Sequence, residues 1–261
     1  MNIKKMVYGL RSTAAYGRNL YRSHRRYKRL RRERDAAYGS YSVRSPQGLH
    51  IGAERFSIPN WFNTDLDPVR PDTYYLDATK PFPFHWDAFD FIFSEHMIEH
   101  LSFRQGLDML RECRRVLKPG GVIRIATPNL CNILALTDES SHEAYLQWAI
   151  KEFDLPRDPY PKATSVINNF FRSWGHQFIY DPEMLRTTLQ QEGFTDVTQC
   201  EVGESCHPNL RRLERHGERW NDFINKFETM VFEATKPAVK KAVTTESQPE
   251  FAIPLGKGVR H

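Results

Sequence analysis

The sequence is poor in cysteine and has no long apolar run, and both absences narrow the class of protein. The four cysteines include no Cys-x-x-Cys pair, so no disulfide framework is predicted and a reducing compartment fits best. No stretch approaches the roughly 18 apolar residues that a membrane-spanning helix needs. Because no apolar run follows the N-terminal charges, we expect no secretory signal and a cytoplasmic location.

The composition is that of a folded protein. Of the 261 residues, 40% are hydrophobic and 26% are charged, and 17 Phe, 11 Tyr and 5 Trp supply aromatic mass. This excludes wholesale disorder. At this length we expect one domain of about 200 residues with tails at both ends.

The net charge of +5 is unevenly distributed. Residues 1–44 hold 13 Lys or Arg and two acidic residues, a net charge of +11, so the rest of the chain carries −6. Residues 1–35 contain no proline and many helix formers, which predicts a basic helical arm. Four apolar residues recur there at helical spacing: Ile3, Met6, Val7 and Leu10. The arm can contact the anionic inner face of a membrane, pack on the acidic body, mediate self-association or stay solvated.

Strands alternate with helices along the rest of the chain. Tyr38–Gly48 has the composition of a linker, and residues 237–261 are predicted to be a disordered tail. Strands are predicted at Leu49–Gly52, Trp61–Asp67, Phe89–Phe93, Val122–Ala126, Thr195–Gln199 and Glu228–Ala234. Helices are predicted at Leu101–Leu117, Asn129–Leu136, Ser141–Phe153, Ala163–Trp174 and Pro182–Glu192. This alternation predicts an α/β fold with a parallel sheet.

Four residues with binding chemistry fall at the ends of predicted strands, where open parallel sheets bind their ligands. Gly52 ends the first strand and lets a ligand approach the backbone. Asp65 ends the second strand, and an acidic side chain there can accept both hydroxyls of a ribose. Asp77 follows a further strand and is placed to meet a base edge, and Ser94 ends the strand that begins at Phe89.

Two segments, Phe89–Leu101 and Arg111–Asn129, resemble class I S-adenosylmethionine-dependent methyltransferases. More narrowly, they resemble the branch found with cell-surface polysaccharide genes. The resemblance implies a Rossmann-like, mostly parallel seven-stranded sheet flanked by helices. It places a methyltransferase domain over residues 45–236, with a helical insertion over residues 129–180 after the fifth strand.

The same resemblance implies that S-adenosylmethionine is the cofactor. It assigns cofactor contacts to Gly52, Asp65, Asp77 and Ser94, with Asp65 on the ribose hydroxyls and Asp77 beside Ala78 on the adenine. It also implies O-methylation of a small-molecule, sugar or lipid-linked acceptor.

The first motif departs from the family pattern at Glu54. The family usually has Gly-x-Gly there, and this chain has Gly52-Ala-Glu54. Glu54 can pair with the amine of the cofactor or block its binding, which leaves open a non-catalytic protein that keeps the fold. A nucleic-acid methyltransferase is the third alternative. It is disfavoured because the arm has no recognisable nucleic-acid fold and the body has no second basic stripe.

Histidines near the fourth strand supply the remaining chemistry. His96-Met-Ile-Glu-His100 matches the His-x-x-Glu-His pattern of a zinc protease helix, with a third ligand open among Glu139, Glu143 and Glu152. The preceding strand and the following Lys-Pro-Gly-Gly turn favour a packing role, so no metal is expected. Methyl transfer to oxygen needs a base for the hydroxyl proton, and His96 and His176 are the two candidates.

Overall fold

A seven-stranded sheet forms the centre of the structure, a computed structural model that describes residues 25–42, 47–219 and 222–238. The strands are β1 Gly48–Ile51, β2 Phe62–Asp65, β3 Thr73–Tyr75, β4 Phe89–Glu95, β5 Leu117–Pro128, β6 Thr195–Cys200 and β7 Thr229–Thr235. Their order in the sheet is β3-β2-β1-β4-β5-β7-β6. Strands β1 to β5 pair in parallel, and β7 is antiparallel to both of its neighbours. The predicted fold class is confirmed.

Eight α-helices flank this sheet in the described part of the chain. They are α1 (residues 25–41), α2 Phe103–Val116, α3 Leu130–Ala135, α4 Glu143–Glu152, α5 Lys162–Arg172, α6 Pro182–Gln191, α7 His216–Arg219 and α8 Asp222–Glu228. Two short 3₁₀ helices cover Ile98–His100 and Pro208–Leu210. None of the helices in these residues is both long and apolar enough to cross a membrane.

Helix α2 begins two residues later than predicted because Ser102 caps it. The Ser102 side chain accepts the Gln105 backbone N–H, and the Gln105 side chain accepts the Ser102 backbone N–H, which forms a reciprocal capping box. One face of the helix, including Met109, Leu110 and Cys113, is fully buried against the sheet. The helix therefore fixes the segment that follows the carboxyl end of β4.

Helices α3, α4 and α5 form the helical insertion after β5. They bury a second apolar cluster separate from the core of the sheet, which includes Tyr145, Leu146, Val166 and Phe170. The phenol of Tyr145 donates to Glu228 Oε1 at 2.5 Å and so connects the insertion to the end of α8. The insertion is thus a packed unit that contacts the sheet at its carboxyl edge.

Helix α1 packs directly on the body, so the predicted linker from Tyr38 is wrong over its first four residues. The ring of Tyr38 packs against Phe62, Phe84 and Phe89. The Tyr41 hydroxyl accepts the Gly48 backbone N–H at 2.8 Å. Aromatic burial extends the helix through residue 41, which composition alone did not indicate. Residues 1–24 of the arm, including its four apolar residues, and residues 239–261 of the tail lie outside the described residues.

A row of register partners crosses one face of the sheet from β2 to β7. It consists of Asn63, His50, Phe93, Arg124 and Glu233. The Arg124 guanidinium is fully buried, and it donates to Glu214 and to Glu233, each at 2.6 Å. Its Nη1 also donates to the Glu204 carbonyl at 2.8 Å. These hydrogen bonds hold the segment after β6 against this face of the sheet.

The burial of His50 in this row predicts that the protein loses stability in mild acid. It is buried against Phe93, its Nδ1 lies 3.2 Å from Asn63 Oδ1, and burial lowers its pKa to about 4. Below about pH 6.5 His50 is protonated in the unfolded chain but stays neutral in the folded protein, so the free energy of unfolding falls. Between pH 7 and pH 5 this group alone removes about 2 kcal/mol.

We expect His50→Phe to flatten that part of the pH profile. The measurement is the free energy of unfolding in urea at pH 7 and pH 5, for the wild type and for this variant. His85→Phe, at an exposed position, is the matched control and should retain the wild-type slope. An equal slope in His50→Phe would show that other groups cause the acid sensitivity.

Candidate functional site

A cavity of about 490 Å³ opens at the carboxyl ends of β1, β2 and β4. Gly52, Asp65, Asp77 and Glu95 line it, and the volume falls within the range of ligand sites in proteins. This is the edge of the sheet at which parallel α/β folds bind their ligands. The sequence predicted this edge, and the structure brings most of the predicted residues together there.

Gly52 is required at the floor of the cavity on two grounds. Its φ of +77° lies in the left-handed region, which side-chain-bearing residues rarely adopt. A Cβ at this position would lie 2.7 Å from Met97 Cγ and 2.9 Å from Met97 Cβ. The backbone of Gly52 and the side chain of Met97 therefore form one surface that a larger residue would disrupt.

Asp65 is held at the end of β2 by the backbone around it. Its Oδ2 accepts the Glu54 N–H at 2.9 Å, and its Oδ1 accepts the Asp67 N–H at 2.8 Å. Each oxygen retains a second lone pair for a hydroxyl donor. Glu54 lines the cavity with a φ of +41°, but its side chain is 63% exposed and lies near Arg55. The side chain of Glu54 therefore does not fill the cavity.

The remaining predicted cofactor residues divide between the cavity and the core. Asp77 and Ala78 line the cavity, and Asp77 Oδ1 accepts both the N–H and the hydroxyl of Thr79. Ser94 does not line the cavity. It is fully buried in β4 beside Ile51, and its hydroxyl has no hydrogen-bond partner among the described residues. Any effect of Ser94 on a ligand must therefore act through the strand.

His96 lines the cavity with both ring nitrogens facing oxygen atoms. Its Nε2 lies 3.0 Å from Thr229 Oγ1, and its Nδ1 lies 3.3 Å from Glu99 Oε1. Because Thr229 donates its own proton to Asn225 Oδ1, it accepts from His96. Burial lowers the pKa of His96, but Glu99 and the charge of nearby carboxylates outweigh it and raise the pKa overall. The catalytic role of His96 stays a prediction, and these contacts favour the imidazolium form.

Glu95 and His216, neither of them among the predicted site residues, complete this wall of the cavity. Glu95, at the end of β4, accepts the backbone N–H groups of Arg215 and His216 at 2.9–3.0 Å. The His216 ring then stacks on His96 at a centroid distance of 3.9 Å, and its Nε2 lies 3.2 Å from Glu228 Oε2. Burial and the charge of His96 lower the pKa of His216. His216 lies 121 residues from Glu95 and 120 from His96, so no local pattern could indicate these contacts.

Glu99 is the buried carboxylate beneath the histidines. Its side chain is fully buried, Oε2 accepts the Thr127 hydroxyl at 3.0 Å, and Oε1 accepts no hydrogen bond among the described residues. Burial raises the pKa of Glu99, but contact with His96 outweighs it and lowers the pKa overall. The group therefore stays ionised near neutral pH.

His176 lies beside the cavity rather than on its wall. Its Nδ1 is 2.7 Å from the Phe170 carbonyl, so Nδ1 carries the proton and Nε2 carries the lone pair. Its ring contacts His100 edge to face at 5.0 Å. One nitrogen of each of these histidines and one carboxylate oxygen of Glu99 lie within 4.8 Å of one another. His96 and His100 do not form the helical zinc pair, because residues 98–100 form a 3₁₀ turn. The base role of His176 stays a prediction.

The cavity fits S-adenosylmethionine on its own geometry. Gly52 and Met97 provide a surface without a projecting Cβ, and Asp65 presents a carboxylate at the end of β2. Asp77 and Ala78 line the same cavity, where the adenine is expected. When bound, this cofactor supplies a methyl group on a positively charged sulfur.

The middle of the chain matches a known family. Residues 62–125, which run from β2 into β5, match the family model described as a methyltransferase domain. None of the curated proteins matches the chain.

Solved methyltransferases share parts of the fold at low identity. A SAM-dependent methyltransferase from Archaeoglobus fulgidus is 19% identical, with a TM-score of 0.46 over 80% of this chain and 92% of that one. A Thermotoga maritima SAM-dependent methyltransferase, described as a possible histamine N-methyltransferase, is 16% identical, with a TM-score of 0.43 over 81% of this chain and 94% of that one. A Haemonchus contortus phosphoethanolamine N-methyltransferase is 15% identical, with a TM-score of 0.38 over 73% of this chain and 49% of that one.

The family match includes Asp65, Asp77 and the segment from Ser94 to His100. These residues lie at or beside the carboxyl edge of a seven-stranded sheet, around the cavity. The matched segment therefore indicates a methyltransferase domain, whose strand ends and turn after β4 line this cavity.

Proposed function

We propose that the protein O-methylates a hydroxyl group of a sugar or glycolipid intermediate. The observation that carries the proposal is the shared cavity. It joins the residues suited to the cofactor, Gly52 and Asp65, with the imidazoles of His96, His100 and His216. A hydroxyl acceptor needs a group that takes its proton, whereas an acceptor that is already ionised needs only positioning.

His216 is the imidazole whose surroundings suit that proton. Its lowered pKa keeps it neutral near pH 7, and the Glu228 carboxylate at 3.2 Å stabilises the imidazolium that proton uptake forms. S-adenosylmethionine held by Gly52 and Asp65 would supply an electrophilic methyl group to the acceptor oxygen and would leave as S-adenosylhomocysteine. His216 would take the hydroxyl proton of the acceptor.

Asp65→Ala tests the cofactor half of the proposal. Loss of hydrogen bonds to a charged group should weaken S-adenosylhomocysteine binding by about 1.5 to 3 kcal/mol. Isothermal calorimetry measures this loss, and a thermal melt confirms that the variant is folded. Asp67→Ala, which removes an exposed carboxylate two residues away, is the matched control and should bind as the wild type does.

A ligand lacking one ribose hydroxyl separates direct contact from loosening of the loop. If Asp65 holds the ribose, the 3′-deoxy analogue should lose affinity for the wild type and little more for Asp65→Ala, as in a double-mutant cycle. Equal losses in both proteins would place the ribose elsewhere. No heat with any ligand would overturn cofactor binding altogether.

The acceptor half is tested by mass spectrometry of cell-surface glycans. Cells that lack the gene should lose one methyl group from a glycan, and the wild-type gene should restore it. Genes encoding Asp65→Ala or His216→Ala should not restore it, and Asp67→Ala should. Identical glycans with and without the gene would contradict the sugar acceptor and leave cofactor binding to the calorimetric test.

We further propose that residues 1–35 hold the enzyme at an anionic membrane surface, where a lipid-linked acceptor is presented. In the described part of this arm, Arg34 is buried and donates to the Tyr75 carbonyl. Other basic residues of α1 remain on the exposed surface, among them Lys28, Arg29 and Arg32. The helix therefore docks one face on the body and presents basic side chains on the other.

Sedimentation with vesicles of phosphatidylcholine and phosphatidylglycerol tests this second proposal. Each Lys or Arg near an anionic surface contributes about 1 kcal/mol, so the full chain should sediment at about 50 mM salt and be released at about 500 mM salt. A chain that begins at Arg25 keeps the docked helix and should bind more weakly. Vesicles of phosphatidylcholine alone are the control. A full chain that stays in the supernatant at low salt would exclude the membrane role.

A further inference from the structure

Three side chains outside the proposed cofactor contacts converge at the rim of the cavity. They are Glu99 and His100, on the turn after β4, and His176, on the segment after α5. One carboxylate oxygen and two imidazole nitrogens lie within 4.8 Å of one another. Two imidazoles and one carboxylate are a ligand set that zinc and related divalent ions take in proteins.

We propose that Glu99, His100 and His176 bind a divalent transition-metal ion such as Zn²⁺. If the three ligand atoms were all separated by 4.8 Å, the upper limit of the distances among them, an ion at their centre would lie about 2.8 Å from each. Zinc bonds to nitrogen and oxygen are about 2.0 to 2.2 Å long, so each ligand needs to move inward by less than about 1 Å. Small rotations of side chains accomplish this without movement of the sheet.

The groups behind the ligands are already arranged as metal sites require. A metal-bound imidazole usually donates its other N–H to a carbonyl or carboxylate, which leaves the ligating nitrogen deprotonated. His176 does so, since its Nδ1 donates to the Phe170 carbonyl at 2.7 Å. Glu99 is oriented in the same way by the Thr127 hydroxyl at 3.0 Å.

The Glu99 carboxylate supplies a buried anionic ligand. Its side chain is fully buried, and its Oε1 lies 3.3 Å from His96 Nδ1 in an ion pair that lacks hydrogen-bond geometry. A buried carboxylate is stable only when opposite charge lies beside it. A cation held between Glu99 and the two histidines adds such a charge.

A second cluster of metal-ligand types serves as the comparison. Cys206, His207 and Glu233 also lie within 4.8 Å of one another. There, however, the carboxylate is already bound, because Arg124 Nη1 donates to Glu233 Oε1 at 2.6 Å. Glu99 contacts an imidazole and a hydroxyl rather than a guanidinium, so its cluster is the better candidate.

The proposed site has a chemical consequence for the acceptor. Three protein ligands leave a coordination position open, as in catalytic zinc sites. His100 and Gln177 line the cavity, so the ion faces the space next to the cofactor residues. A hydroxyl oxygen bound to such an ion has a lowered pKa. This part of the inference rests on the proposed function, whereas metal binding itself does not.

Metal titration of the full-length protein tests the site. The protein is stripped with EDTA and desalted, and Zn²⁺ is then titrated in competition with a chromophoric chelator. Co²⁺ gives a visible spectrum that reports its coordination. The wild type should bind one equivalent, and His100→Gln and His176→Gln should each weaken binding by at least about 100-fold. Thr127→Val should weaken it by about 10-fold. Cys206→Ser is the control and should bind as the wild type does.

Two results would overturn the inference. One is wild-type binding no tighter than that of His100→Gln, and the other is loss of the ion in Cys206→Ser. Thermal melts show which variants are folded. If His176→Gln does not fold, His100→Gln still tests the site, because His100 is partly exposed. Calorimetry with S-adenosylhomocysteine in EDTA separates the two proposals. Intact ligand binding without metal binding refutes only the metal site, and metal binding without ligand binding refutes only the cofactor site.

Discussion

The buried carboxylate of Glu99 is the contact on which the functional edge of the sheet depends. Its side chain joins β5, through the Thr127 hydroxyl, to the turn after β4, through His96. Its backbone carbonyl accepts the N–H groups of Gln177 and Phe178 at 2.7 and 3.1 Å, which ties in the segment that leaves the insertion. One residue therefore connects β5, the turn after β4 and the segment that leaves the insertion. An ionised carboxylate buried at this depth is stable only while these partners stay in place.

The same contact explains why the histidines form an ordered set. His96 is drawn towards Glu99 with a φ of +44°, a strained conformation that a non-glycine residue retains only when its surroundings enforce it. The stacked ring of His216 follows from that position, because Glu95 fixes the backbone that carries it. Burial, together with the charge of the neighbouring His96, lowers the pKa of His216 and keeps that ring neutral.

Local pattern was sufficient to predict most of the sheet and the cofactor edge. Gly52 and Asp65 lie at the predicted edge of the sheet because a parallel strand brings its last residues to one edge whatever the rest of the fold does. The sequence prediction ended helix α1 too early because polar residues outnumber apolar ones in this segment. The aromatic rings of Tyr38 and Tyr41 that dock it find their partners on distant strands. His216 and Glu95 could not be paired from sequence, since only the folded chain brings positions 121 residues apart together.

The short connection after β1 makes the turn after β4 more important than it would otherwise be. No α-helix lies between β1 and β2 in the structure, so that side of the cavity has no helical wall. Met97 packs against Gly52 in its place, and His96, His100 and Leu101 continue the lining. The turn after β4 therefore has two roles. It lines the cavity, and its Glu99 carbonyl accepts the hydrogen bonds that hold the end of the insertion. A change in the insertion that displaces Gln177 would therefore also displace Glu99 and the turn that lines the cavity. Substitutions in α4 and α5 are consequently least disruptive to this turn, because the apolar cluster of these helices is separate from the core of the sheet.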